Sequence, residues 1–327
     1  MKTMKYFIPT FILLTHAAWA QKAPLNITYD AVEERNNCSE FDLRPEMLRM
    51  GIPARNYQGE SGWCYAFVAA DMVSYELGVS VSAADIAINH INSHPQQMIR
   101  SSHIASIYPL GGGFAGQAIG DLNHRGVCLD SDYSIDLSVP EATSIITVGP
   151  NGQAIKTPPP ETILNYGKVS ELFPNQLIKN LLRNVRQNSF RQALNQLAES
   201  SCTPQFSDIK LETESYTWRP NVQKREEFNS RLDQVLNRRQ MLALAYDPSI
   251  TGRNMYSVSI QTNPSDSHIS TIVGSRFNSA KGRCEILLRN TERECDSYNT
   301  DFECRDNHLW IPKKLMKIGS TTIYSLI

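Results

Sequence analysis

The stretch from Cys64 to Leu77 constrains this chain more than any other. Ala66, Phe67, Ala69, Ala70, Met72, Val73 and Leu77 fill most of a helix surface, and Gly78 stands where a helix stop is expected. A helix this apolar has no solvent face and must lie buried among other elements. Cys64 falls in its first turn, directly after the loop-like run Gln58-Gly59-Glu60-Ser61-Gly62. The chain can supply the surrounding core: 327 residues, 41% of them hydrophobic, with no bias toward disorder or collagen. That length allows one large domain or two ordinary ones.

The N-terminus indicates the compartment. Lys2 and Lys5 precede an apolar run from Tyr6 to Leu14, and Ala18-Trp19-Ala20 supplies the small-x-small pattern of a cleavage site, so residues 1–20 read as a secretory signal. The run contains Pro9 and is too short to span a membrane. A secreted or periplasmic protein is therefore expected, with no membrane association after signal cleavage. Disulfides are permitted there. Of the seven cysteines, six can pair and one is left over. A net charge of −1 removes the electrostatic case for nucleic acid.

Residues 21–40 are polar and read as an N-terminal extension in extended form, followed by loop to Gly62. After the Cys64 helix, Ser82 can cap a second helix through Ala83, Ile86, Ala87 and Ile91. Gly111-Gly112-Gly113 precedes a helical stretch from Phe114 to about His124, closed by Gly126. The glycines lack phosphate-loop spacing, which leaves a tight turn or exposed backbone for a peptide-like ligand. Residues 140–228 differ in character. Gly- and Pro-rich loop gives way to an amphipathic stripe of Leu177, Ile178, Leu181, Leu182 and Val185, with Lys179, Arg183 and Arg186 on a solvated face. Beyond a helical piece ending near Arg239, short apolar strands are expected at 241–246, 269–274 and 284–288.

A thiol acts as a nucleophile in its thiolate form, and a helix N-terminus plus an imidazolium are the usual means of stabilising that form. Cys64 has the first by position. Among the histidines, His90, His94, His103, His124 and His308 sit in helical or polar contexts, whereas His268 flanks an apolar strand and Asn290 closes the next one. Two adjacent antiparallel strands would bring His268 and Asn290 within a few ångströms.

The run Gln58-Gly59-Glu60-Ser61-Gly62-Trp63-Cys64-Tyr65-Ala66-Phe67 resembles the active-site segment of papain-like cysteine peptidases, with a glutamine six positions before the nucleophile. The resemblance extends to Gly112-Gly113-Phe114, to Asp132-Tyr133, to Leu232–Tyr246, to Ser267-His268 and to Ile286–Asn290. Two blocks, roughly 41–135 and 229–295, thus follow the family's order Gln, Cys, His, Asn. The resemblance implies an α+β, two-lobed papain-like fold over residues 41–327. A helical left lobe would carry the Cys and an antiparallel β right lobe the His and Asn, with 140–228 as a largely helical insertion. Cys64, His268 and Asn290 would be catalytic, Gln58 would serve the oxyanion hole, and Gly112 and Gly113 would bind substrate.

There are departures. Ser61 stands where the family has a cysteine, Trp63 replaces a small residue, and Thr291-Glu292 follows Asn290 in place of Ser-Trp. His268 lies 204 positions after Cys64, against about 130–150 in the family pattern, and the insertion accounts for the excess. The short stretch before residue 41 leaves no room for the inhibitory prodomain typical of the family, so either constitutive activity after export or restraint by the 140–228 insertion is expected.

The expected activity is hydrolysis of a peptide or protein substrate through a thioester. The alternatives are a catalytically silent papain-fold binding protein, suggested by Trp63 and the missing tryptophan, and an amidase or transpeptidase using the same residues. No cofactor and no metal are expected. Cys304 and His308 with Cys284 or Cys295 match no common zinc spacing. A short-loop disulfide is expected among Cys284, Cys295 and Cys304. Oligomeric state leaves no trace in the sequence.

Overall fold

A computed structural model describes residues 27–54, 58, 63–94, 113–123, 125–133, 202–218, 224–251, 268–291, 295 and 298–327. The signal (1–20), Gly112, and residues 140–201 of the expected insertion lie outside the described residues.

The chain is α+β, and its centre is one antiparallel sheet. In chain order the elements are α1 (Ala31–Asn36), β1 (Phe41–Asp42), α2 (Arg44–Arg49), α3 (Cys64–Leu77), α4 (Ala83–Ser93), α5 (Ala115–Leu122) and β2 (Thr213–Thr217). They continue with α6 (Arg225–Asn237), β3 (Leu242–Tyr246), β4 (His268–Asn278), β5 (Arg283–Arg289), β6 (Glu303–Arg305), β7 (His308–Pro312), α7 (Lys313–Gly319) and β8 (Ser320–Leu326). The strands run in the order β2-β8-β3-β4-β5-β7-β6, with β1 added on β4.

Side-chain alternation along the strands divides the apolar residues between two cores. Met241, Ala243, Val273, Leu287 and Trp310 face α3, α4 and α5. Their neighbours Leu242, Leu244, Tyr246, Ile272, Ile286, Leu288, Leu309 and Ile311 face α6 and α7 on the opposite side. Because helices cover both faces, these strands are apolar at successive positions instead of alternating with polar residues, and β5 is buried along its whole length.

Helix α3 is the most enclosed element. Ten consecutive residues, Tyr65 to Ser74, are buried, in keeping with its apolar surface. It ends at Gly78, whose φ of 69° is the left-handed conformation that glycine adopts without a Cβ clash. Ser82 caps α4, its hydroxyl accepting from the Asp85 backbone N–H at 3.0 Å.

Three disulfides brace the fold: Cys38–Cys284, Cys128–Cys202 and Cys295–Cys304. The third is the short-loop pair expected near the C-terminus. The first spans 246 positions, and the chain entropy it removes from the unfolded state corresponds to about 5 kcal/mol.

Two expectations are corrected. The stretch expected as loop up to Gly62 holds strand β1 and the short helix α2, Arg44–Arg49, with Pro45 in its first turn. The 21–40 stretch is not extended throughout. Asp30 accepts backbone N–H bonds from Val32 and Glu33 and starts a helix at Ala31–Asn36, too short for hydrophobic periodicity to register. Within 140–228, Thr213–Thr217 form a strand that pairs in register with β8 from Leu326 back to Thr322, while the stretch expected to be helical lies mostly outside the described residues. Only one residue in that strand is exposed, and its lack of strict alternation hid it.

Candidate active site

Helix α3 begins at Cys64 itself. Trp63 precedes it as a fully buried residue and takes the first helical bonds, from Ala66 N at 2.8 Å and Phe67 N at 3.1 Å. The half-buried Cys64 therefore occupies the first helical position, at the positive end of the macrodipole. It is the one cysteine outside the three disulfides. Trp63, the departure that suggested a silent site, packs into the core and is 0% exposed.

His268 opens β4 and is buried. Its Nε2 lies 2.9 Å from Asn290 Oδ1, and since an amide oxygen can only accept, the imidazole is the donor. The sheet register produces this contact. Arg289 at the end of β5 pairs with Thr271, so Asn290 just beyond it reaches back toward the start of β4. The other end of the Asn290 amide, Nδ2, donates to the Tyr298 hydroxyl at 2.6 Å. Tyr246, paired with His268 across β3 and β4, sets its ring edge-on to the imidazole at 5.6 Å, while its hydroxyl bonds Ser270 at 2.9 Å. Asn290 and the histidine ring are thus fixed from several sides.

Gln58 is brought to the same place. Its backbone N–H donates to the Thr291 carbonyl at 2.9 Å, and the Thr291 hydroxyl donates to Gln58 Oε1 at 2.6 Å. The side chain is buried, and the bond to Oε1 fixes which end of the amide is the oxygen and which is the donor.

A buried ion pair ties these parts together. Asp71, on α3, accepts from Arg289 Nε at 2.8 Å and from the Thr271 hydroxyl at 3.0 Å. Arg289 Nη1 also donates to the Pro53 carbonyl at 2.6 Å and the Ala54 carbonyl at 3.2 Å. The Cys64 helix, the strand carrying His268, the strand leading to Asn290 and the approach to Gln58 therefore share one anchor. Cys64 lies two helical turns from Asp71, about 10 Å at 1.5 Å per residue. His268 lies three strand residues from Thr271, also about 10 Å.

Gly113 is exposed, and a Cβ on it would fall 2.7 Å from the Tyr65 ring and 2.9 Å from His90 Cδ2. Glycine is required here because Tyr65 and His90 pack directly beneath. Burial pushes the Tyr65 hydroxyl well above the ordinary phenol range, and it bonds only weakly to the Ala87 carbonyl, at 3.4 Å. Burial likewise lowers His90 below the ordinary histidine value, against the opposing pull of Asp121.

The structure thus brings together His268, Asn290 and Gln58, and sets Cys64 at the head of a helix anchored to the same strands. Sequence reasoning missed Thr291, Tyr298 and the Asp71–Arg289 pair. Asp71 carried a signal, being the one charge inside an apolar helix turn. Tyr298 carried none, since its partner is set by the path of the chain after Asn290. His90 and His94, at helical i, i+4 spacing, both turn their rings to Asp121, a partner on another helix that the spacing does not indicate.

No protein-family model matches the chain, and no curated protein matches it. Among solved structures, digestive procathepsin L2 proteinase from Tenebrio molitor larval midgut is similar at 13% identity and a TM-score of 0.43, over 90% of this chain and 68% of that one. Digestive procathepsin L 3 from the same larval midgut is similar at 13% identity and a TM-score of 0.41, over 93% of this chain and 74% of that one. Both scores fall below 0.5, so the reading of the site rests on its own residues.

Proposed function

We propose that this protein is an exported, papain-like cysteine peptidase, secreted or periplasmic, that cleaves peptide bonds with Cys64, His268 and Asn290. The observation that carries this reading is the bond from His268 Nε2 to Asn290 Oδ1. It assigns the imidazole one tautomer and one orientation, the role that a triad's third member performs. A histidine held only for structure needs no such amide, itself clamped by a phenol.

In this reading the helical layer headed by Cys64 and the sheet end carrying His268 and Asn290 form the two walls of a substrate cleft. The Cys64 thiolate attacks the scissile carbonyl carbon, the C=O π bond opens, and negative charge builds on the oxygen. Gln58 Nε2 and the Cys64 backbone N–H donate to that oxyanion, each donor contributing about 3 kcal/mol to the transition state. His268 Nδ1 gives its proton to the leaving amine as the C–N bond breaks, leaving a thioester on Cys64. Water, deprotonated by the same nitrogen, then hydrolyses the thioester and regenerates the thiolate. Gly112 and Gly113 offer backbone for strand-like pairing with an extended peptide.

The three disulfides and the 1–20 signal support an oxidising destination. The burial of Trp63 and the Tyr298 clamp on Asn290 favour an active site over a silent one. The test is a cleavage profile on a peptide library with the purified chain, beside Cys64→Ala. Hydrolysis by the native chain and none by the variant is expected. Cleavage that survives Cys64→Ala would overturn the reading.

A further inference from the structure

Two histidines one helical turn apart share a face of α4, His90 within the helix and His94 at its C-terminal end. On α5, packed against α4, Asp121 points both carboxylate oxygens at them: Oδ2 lies 2.8 Å from His90 Nδ1 and Oδ1 lies 3.0 Å from His94 Nε2. One nitrogen from each ring and one carboxylate oxygen all lie within 4.8 Å of one another. None of the three takes part in the proposed peptidase chemistry.

We propose that His90, His94 and Asp121 form a binding site for one divalent transition-metal ion, Zn²⁺ being the natural probe. Two imidazoles and one carboxylate suit borderline ions such as Zn²⁺, Co²⁺ or Ni²⁺, whereas Mg²⁺ and Ca²⁺ favour oxygen alone. Three protein ligands with a solvent-facing side leave coordination positions for water or a further ligand.

The surroundings fit a prepared site. His90 is buried, and its ring is held against Tyr65 at 5.0 Å between centroids and against His94 at 4.7 Å. Gly113 covers the His90 edge where any side chain would collide. The side chains of His94 and Asp121 are 27% and 16% exposed, which gives an ion a path from solvent. All three ligands stand on helices of one packed core, so little ordering is left for the ion to impose. Bound metal would cross-link α4 to α5 directly behind Tyr65, the residue after Cys64.

This site is independent of the peptidase reading, and the experiment keeps the two apart by using the Cys64→Ala chain with its disulfides intact. Isothermal titration with Zn²⁺ is expected to give one saturable ion per chain and a raised melting temperature. Loss of an outer-shell partner costs 10–100-fold in metal affinity, so His94→Gln or Asp121→Asn, which remove a ligand, should weaken binding by about 100-fold or more. His94→Gln alters a partly exposed side chain and keeps the test valid if Asp121→Asn fails to fold. With Co²⁺ in the chain that retains Cys64, visible absorption without a thiolate charge-transfer band is expected. Absence of saturable uptake, uptake unchanged in both variants, or a thiolate band showing that Cys64 holds the ion would each overturn the proposal.

Discussion

Replacing Asp71 by alanine should be the most damaging single change in the site's framework. Its carboxylate is 1% exposed, faces the Arg289 guanidinium at 2% exposure, and accepts a second bond from Thr271. Removing it strands a buried positive charge, which costs about 3–5 kcal/mol. The orphaned Thr271 hydroxyl adds about 1 kcal/mol. A loss of about 4–6 kcal/mol is a large part of the 5–15 kcal/mol that holds a typical domain together. In urea, with a slope of about 3 kcal/mol per molar for a chain of this size, the midpoint should fall by more than about 1 M, followed by tryptophan fluorescence. Arg289→Met alone should cost a similar amount. The double variant should be clearly less destabilised than the sum of the two singles, because a charge pair is removed together. If each single variant costs under about 1 kcal/mol, as an exposed pair would, the shared anchor is refuted.

Two further outcomes follow from particular contacts. Tyr298→Phe removes the acceptor for Asn290 Nδ2, and the loss of one buried hydrogen bond, about 1–1.5 kcal/mol, should lower kcat roughly tenfold while leaving KM nearly unchanged. An equal fall with Tyr298→Phe and Tyr298→Ala in stability alone, with kcat intact, would remove Tyr298 from the positioning of Asn290. His308 is held down to about 4 by burial, then by Arg289 and Arg44, against the opposing pull of Asp306. Its unfolded value is near 6.5, so the unfolded chain takes up a proton first as pH falls. The stability it contributes is complete above about 6.5 and is lost as pH falls to about 4, a total of about 3 kcal/mol. Melting curves of His308→Gln should lack that part of the acid slope, and an identical slope in both proteins would contradict the assignment.

What was legible in the sequence follows from how local each signal is. Helix α3, its glycine stop and the Ser82 cap are written in residues a few positions apart, and they appear where expected. The strands around His268 and Asn290 are visible because both faces are covered, which leaves short runs of successive apolar residues, Ile272-Val273 and Ile286-Leu287-Leu288, inside them. That coverage was itself invisible: no residue in α6 or α7 announces which sheet face it will pack on. The same holds for Thr213–Thr217, whose place is decided by pairing with β8 more than a hundred positions later. Within the site, Gln58, Cys64, His268 and Asn290 stand out in the sequence through the resemblance to papain-like segments, whose order along the chain they follow. Thr291 does not, although it is adjacent to Asn290, because its role depends on where Gln58 comes to rest. In the sequence Gly113 reads as either a turn or a bare backbone for substrate, and the Tyr65 and His90 rings beneath it supply a reason that spacing does not contain.

Whether Cys64 is an activated nucleophile is tested most directly by covalent labelling of the folded chain with a peptidyl vinyl sulfone, read by intact mass and peptide mapping. An activated Cys64 should take up one adduct per chain, the rate should collapse in His268→Ala, and the urea-unfolded chain should react far more slowly. No adduct on Cys64, or an adduct formed as readily in the unfolded chain and in His268→Ala, would show an ordinary thiol and contradict the peptidase assignment.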